Sequence, residues 1–275
     1  MEAPLVSITC ITYNHEKYIA QAIEGFLMQE TSFPYEIIIG EDCSTDNTRK
    51  VIGEYVKQYP GLITLITSDE NVGARKNGIR VRNAARGKYI AICEGDDYWT
   101  DPHKLQKQVD FLEAHPDYVL CYHYVNRVDK DNVLITPATV EADVQLFGWK
   151  DFFHLHVPPL SMMFRNCLTH YPDEFLKCFN GDAFLLGLLS SHGKIAKLGF
   201  IGAHYRRHPG GVYSRKGKME NIRLSLATRC LMLKCSYFSR EQHNEIRRQV
   251  FRWRKIYLYY FFKLNFRKML GYQSE

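Results

Sequence analysis

Glu94-Gly95-Asp96-Asp97-Tyr98-Trp99-Thr100-Asp101-Pro102 is the stretch on which the reading of this chain turns. It follows a short apolar run, residues 89–93, that reads as a buried strand, and it precedes a helical pattern over 104–113. Three carboxylates are therefore crowded into four residues at the C-terminal end of a strand, where open α/β sheets place their ligands. Such crowding is electrostatically costly without a cation. Hard divalent cations such as Mg²⁺ or Mn²⁺ take oxygen ligands and share them with substrate phosphates. The cluster points to a metal holding a diphosphate. Taken alone, the same residues also fit a solvated acidic turn that caps the next helix, since Thr100-Asp101-Pro102 is a good helix start.

Working outward, the pattern repeats. Residues 5–11 are rich in β-branched side chains and read as a strand, followed by the loop Thr12-Tyr13-Asn14-His15 and a helix over 16–28 with Ile19, Ala22, Ile23, Phe26 and Leu27 on one face. A second strand, 35–40, ends in the polar loop 41–46 and a helix over 47–58. A third, 62–67, leads through Asp69-Glu70-Asn71-Val72-Gly73 to a helix over 74–85. Strands alternating with helices predict an α/β fold with a largely parallel sheet. Beyond it, 118–128 reads as a strand, 161–165 and 195–206 as strand-like, and 182–191 as a helix. Residues 133–160 carry no clear period. From about 219 onward the chain reads as helices, the last opened by a Ser239-x-x-Gln242 capping box.

At 275 residues the chain can bury a full core. No apolar stretch reaches about 18 residues, so no membrane-spanning helix is expected. Met1-Glu2-Ala3-Pro4 lacks the regions of a signal peptide. The eight cysteines show no Cys-x-x-Cys spacing, which fits a reducing, cytoplasmic setting and argues against a zinc site. Charge is uneven. Residues 1–200 hold 19 Lys/Arg and 26 Asp/Glu, while 201–275 hold 17 and 4. A basic tail favours anionic partners.

Four stretches, in order and at matching spacing, resemble the family 2 glycosyltransferases with a GT-A fold. They are 6–14 (Val-Ser-Ile-Thr-Cys-Ile-Thr-Tyr-Asn), 40–48 (Gly-Glu-Asp-Cys-Ser-Thr-Asp-Asn-Thr), 71–75 (Asn-Val-Gly-Ala-Arg) and 85–90 (Ala-Arg-Gly-Lys-Tyr-Ile) running into Glu94-Gly95-Asp96-Asp97. The resemblance covers residues 4–120 and, more weakly, up to about 214. It implies a GT-A domain over 1–215, with a nucleotide-sugar-binding half (1–115) and an acceptor-binding half (116–215), and a helical basic and aromatic extension over 216–275. It implies a nucleotide-sugar donor, most often a UDP-sugar, a Mn²⁺ or Mg²⁺ ion, and inversion at the anomeric carbon. Carried over residue by residue, Thr12, Tyr13 and Asn14 form the nucleotide loop, with Tyr13 against the base. Asp42 meets the base edge, and Arg75 lies near the nucleotide. Asp96 approaches the ribose or the metal, and Asp97 ligates the metal. The acidic motif opens with Glu94 where the family usually has Asp, and the extra methylene alters its ribose contact.

The resemblance also places a general base well after the metal motif, at a helix start, and Asn180-Gly181-Asp182-Ala183-Phe184 fits with Asp182 as that base; the other role open to Asp182 is to cap its helix. In His204-Tyr205-Arg206-Arg207-His208, the resemblance suggests a basic loop over the diphosphate, with His208 as a further metal ligand and Arg206 or Arg207 on phosphate oxygens. The run from Arg252 to Lys263, with Arg267 and Lys268 after it, mixes cations with dense aromatics. It reads either as a helix lying on the inner membrane face, suiting a lipid-linked acceptor, or as a helix packing its aromatics on the body or on a second subunit. Three rivals stand beside the transferase. A nucleic-acid-binding protein would explain the tail but not the acidic cluster. A sugar-nucleotide-forming nucleotidyltransferase usually carries a Gly-rich loop after its first strand, which 12–15 lacks. A catalytically dead sugar-binding relative fits poorly with the retained Asp96, Asp97 and Asp182.

Overall fold

Every residue of β1 (Val6–Thr12) but Ile11 is buried, as expected of a strand covered on both faces. The computed structural model describes residues 3–211 and 216–269, with side chains up to residue 263. β1 pairs in parallel with β2 (Tyr35–Glu41) on one side and β4 (Tyr89–Ile92) on the other, and β3 (Ile63–Ile66) extends β2 in parallel. Between these strands run α1 (Ile19–Leu27), α2 (Thr48–Gln58) and α3 (Ala74–Asn83). The predicted βα units are therefore present, each within a few residues of its expected bounds.

The second half adds features that periodicity does not carry. β5 is only Tyr98–Trp99, inside the acidic loop, and α4 (Lys104–Ala114) follows it. β6 (Tyr118–Val128) turns through Asp129, whose Oδ1 accepts from the amides of Asp131 and Val133 (both 2.9 Å), into β7 (Leu134–Thr136). β8 (Val144–Phe147) and β9 (Met163–Arg165) precede α5 (Asp173–Lys177), α6 (Gly181–Leu189) and β10 (Lys194–Arg206). α7 (Lys218–Met232) and α8 (Arg240–Met269) close the described chain. Among the described residues the ten strands form one sheet, ordered β3-β2-β1-β4-β9-β6-β10-β5, with β7 beside β6 and β8 beside β10. β9 runs antiparallel between β4 and β6, while β6 and β10 are parallel to each other.

The sheet carries a core on each side. α1, α2 and α4 cover one face over Ile8, Ile37, Tyr89 and Trp99. On the other, Ile90, Leu120 and Phe164 meet Phe184 and Leu188 of α6, Met232 of α7, and Ile246 and Val250 of α8. The helices expected from 216 thus share a core with the sheet and α6. The capping box is present: Gln242 N donates to Ser239 Oγ (3.2 Å) and Ser239 N donates to Gln242 Oε1 (2.8 Å).

One motif glycine shows how sequence dictates packing here. A Cβ on Gly87 would lie 2.6 Å from the Ser7 amide nitrogen and 2.8 Å from the Val6 carbonyl carbon, both backbone atoms of β1. Neither can move without shifting the central strand. Gly87→Ala is therefore expected to destabilise the fold by about 1–3 kcal/mol, the usual penalty of overpacking. Urea unfolding of the two proteins checks this, and an unchanged midpoint would count against it.

Candidate active site

The parallel strands β1, β2, β3 and β4 all release their chains on the same edge of the sheet. Their loops, 12–15, 41–46, 67–73 and 93–97, therefore line one crevice. The two-residue pairing of β5 with β10, Trp99 to Ala203 and Tyr98 to His204, then brings residues 206–208 over the acidic loop.

The nucleotide-side loops are stapled to one another. Asn14, in the left-handed region at φ 55°, accepts the Thr45 amide on Oδ1 (2.8 Å), and its own amide donates to Ser44 Oγ (3.0 Å). The His15 amide donates to Thr48 Oγ1 (2.8 Å). Asp42 is buried and accepts the amides of Val72 (2.8 Å) and Gly73 (2.9 Å) on its two oxygens. Asn14 and Asp42 thus order the loops, while Tyr13, 41% exposed, presents its ring to solvent. Thr12 is buried, with Oγ1 3.2 Å from His15 Nδ1. That contact occupies Nδ1 and leaves Nε2 of His15 facing the acidic loop.

Asp96 is the hub of that loop. His208 Nε2 lies 3.0 Å from Asp96 Oδ2, and His15 Nε2 lies 3.9 Å from the same oxygen. One donor atom each from His15, Asp96 and His208 fall within 4.8 Å of one another. Burial alone would raise the Asp96 carboxyl, but the hydrogen bond from His208 and the charges of both imidazoles hold it below the usual range. Burial also lowers His15, which favours the neutral imidazole, the form that can ligate a metal.

The neighbouring acids behave differently. Asp97 is buried, and its Oδ1 accepts the Arg206 amide (2.7 Å). Burial, then the charges of Asp96 and Glu94, push it well above the carboxylate range. Glu94 is pushed up to about 8 by burial, then by Asp96, with Asp182 adding to the effect and Arg75 opposing it. Its Oε2 is buried without a hydrogen-bond partner. Burial and mutual repulsion thus disfavour full ionisation of this acidic cluster, a cost that a bound cation would relieve.

Across the crevice, Asp182 occupies the first turn of α6 and is half-buried. No hydrogen bond caps the helix through a side chain, and the Asp182 carboxylate has no hydrogen bond or ion pair among the described residues. A Cβ on Gly181 would collide with the Arg75 guanidinium, which therefore lies against the backbone at the start of α6.

The basic loop divides its roles by strand alternation. Arg206 is buried, not aimed at a ligand. Nε donates to the Asp96 carbonyl (2.8 Å), one terminal nitrogen to Asn132 Oδ1 (2.6 Å) and the other to Gln21 Oε1 (2.6 Å), with the group over the rings of Tyr18 and Tyr98. Three of the five guanidinium N–H donors of Arg206 are thereby engaged inside the protein, against the free guanidinium that the expected phosphate contact calls for. Arg207 is exposed. His15, which the sequence places only in the loop after the first strand, joins Asp96 and His208 in this cluster.

Comparison with known proteins places this geometry. A model of the family "Glycosyl transferase family 2" matches residues 7–168. An uncharacterized protein of Mycobacterium tuberculosis is 38% identical over 213 residues, which cover 76% of this chain and 60% of that protein. The matched stretch therefore spans about 60% of that relative's length. Among solved structures, residues 1–349 of Staphylococcus aureus TarS in complex with UDP superpose with a TM-score of 0.65 at 16% identity, covering 90% of this chain and 70% of that one. The mannosyltransferase PcManGT of Pyrobaculum calidifontis, in complex with GDP-Man and Mn²⁺, superposes with a TM-score of 0.63 at 14% identity, over 91% and 70%. At these identities the likeness to the two structures is one of fold.

Proposed function

This chain belongs to glycosyl transferase family 2 and has the GT-A fold, and we propose that it moves a sugar from a nucleotide-sugar donor, UDP-linked, to a hydroxyl of a glycan or lipid-linked acceptor, with inversion. The observation that carries the reading is the meeting of Asp96, His208 and His15 at the strand ends, with the Asp182 carboxylate at the start of α6 making no hydrogen bond or ion pair among the described residues. A divalent cation fits the three ligand atoms, and the orphaned Glu94 Oε2 beside them marks an uncompensated acidic site. The imidazoles favour Mn²⁺ over Mg²⁺, which prefers oxygen. When bound there, the ion would neutralise charge growing on the leaving diphosphate.

The chain's own residues do the rest. Tyr13 stacks on the base, and Asp42 and Asn14 fix the loops that hold it. Glu94 lies by the ribose, and Asp97 holds the Arg206 amide so that the 206–208 strand end stays over Asp96. Arg207 and Arg75 supply positive charge near the diphosphate. Asp182 takes the acceptor's proton as its oxygen attacks the anomeric carbon. The bond from that carbon to the phosphate oxygen breaks on the opposite face, and its electron pair leaves with the nucleoside diphosphate. One displacement inverts the centre. The setting proposed is cytoplasmic, peripheral to a membrane; no described helix is long and apolar enough to cross one.

A panel of nucleotide sugars, assayed for nucleoside diphosphate release with Mn²⁺ and then Mg²⁺, tests this. Release from a UDP-sugar, faster with Mn²⁺, is the expected result. Formation of pyrophosphate from a nucleoside triphosphate and a sugar phosphate would overturn it in favour of a nucleotidyltransferase.

A further inference from the structure

α8 is a helix with two unlike faces. Its inner face, Gln242, Glu245, Ile246, Gln249 and Val250, is buried against the second core, and Trp253 and Tyr260 continue it under Arg229 and Lys218 of α7. A helix partnered in this way ordinarily turns a polar face to solvent. Here Phe251, Leu258 and Phe262, at i, i+7 and i+11, are 61%, 49% and 65% exposed and form an apolar stripe along the outside. Tyr259 and Phe261, also exposed, widen it. Arg252 and Lys263 flank the stripe on one side and Arg254 on the other, with Lys255 within it, all exposed. No acid occurs from residue 246 to residue 274. Arg267 and Lys268, which extend the same run, lie outside the residues whose side chains are described.

We infer that this outer face of α8 docks on an anionic lipid surface. An apolar stripe bordered by cations is the pattern of a helix lying in a headgroup layer, with rings among the acyl chains and ammonium and guanidinium groups at the phosphates. Charge decides against a second copy as the occupant, because a two-fold contact would set this acid-free face against itself. Nucleic acid would meet the cations but offers no apolar interior for Phe251, Leu258 and Phe262. The inference concerns where the protein sits, so it goes beyond the transfer reading and can fail separately from it.

Truncation before α8 would remove Ile246 and Val250 from the core, so the test uses exposed positions in the full chain. Wild-type protein is expected to co-sediment with phosphatidylglycerol-containing vesicles at low salt and not with pure phosphatidylcholine vesicles. Added salt should weaken that binding but not remove it, since cations are screened and buried rings are not. Phe251→Ser/Leu258→Ser/Phe262→Ser together should lower the vesicle partition by about a hundredfold or more, with the unfolding midpoint and donor-dependent diphosphate release unchanged. If the triple variant loses stability, Phe262→Ser alone carries the same comparison with a smaller loss. Wild-type protein that ignores anionic vesicles at low salt would overturn the inference. So would a wild-type dimer that the triple variant converts to monomer, which would assign the face to self-association.

Discussion

Asp182→Asn is expected to bind the nucleotide-sugar as the wild type does and to lose about 10²–10⁴-fold in turnover, the range typical of a lost general base. The amide preserves size and shape in the first turn of α6 but cannot accept the acceptor's proton. The alternative, that Asp182 only caps its helix, conflicts with the structure: the residue sits inside α6, past the capping position at Asn180, and its carboxylate makes no hydrogen bond among the described residues. The half-buried carboxylate makes no hydrogen bond or ion pair among the described residues, which leaves its oxygens open to a substrate proton. Isothermal titration with the donor, paired with steady-state turnover on the true acceptor, reads the two quantities separately. Near wild-type turnover would assign the base to another residue, and equal loss of donor affinity would make Asp182 a donor contact.

The first half of the fold was legible because its βα units obey two clean periods. Ile19, Ala22, Ile23 and Phe26 recur at helical spacing, and β1, β2 and β4 are apolar runs of the length that a doubly covered strand needs. The second half was less so, for physical reasons. β5 is two residues and carries no period, yet its pairing with β10 is what lays His208 on Asp96. β7 and β8 are short edge strands whose side chains are largely exposed, so no buried face patterns them. β9 inserts antiparallel between two parallel strands, a matter of sheet order rather than local propensity. Among the candidate site residues, Asp96, His208 and Asp182 were named by type and place, and the structure sets the first two 3.0 Å apart. Arg206 and Arg207 could not be told apart without the register, because adjacent strand residues face opposite ways. His15 gave too little on its own: one imidazole in a polar loop becomes a candidate ligand only when Thr12 turns its Nε2 toward a carboxylate eighty-one residues away.

That geometry makes the proposed metal ligands the second site of large effect. Asp96→Asn and His208→Ala are each expected to weaken Mn²⁺ binding in the absence of donor by at least about 10–100-fold, the range already seen when groups that merely orient ligands are lost. Transfer should fall with the occupancy. His15→Ala should weaken Mn²⁺ less, because its Nε2 stands 3.9 Å from Asp96 where that of His208 stands at 3.0 Å. Asp97→Ala separates a ligand from a strut. Asp97 accepts the Arg206 amide, an acceptor that asparagine would keep and alanine removes, so the alanine variant should first lower stability and loosen residues 206–208, with Mn²⁺ affinity following only as His208 moves. Two imidazoles in the set also predict metal choice: Mn²⁺ should displace Mg²⁺ readily and the reverse should need a large excess. Electron paramagnetic resonance of free Mn²⁺ measures affinity and competition directly, without an assay of transfer. Acid should weaken binding as well, since both imidazoles must be neutral to ligate and the ion releases protons as it binds. Unchanged Mn²⁺ affinity in both Asp96→Asn and His208→Ala would remove the ion from this cluster. Loss in those two with none in His15→Ala would reduce the protein's share to a pair of ligands, leaving the rest of the coordination to the diphosphate and water.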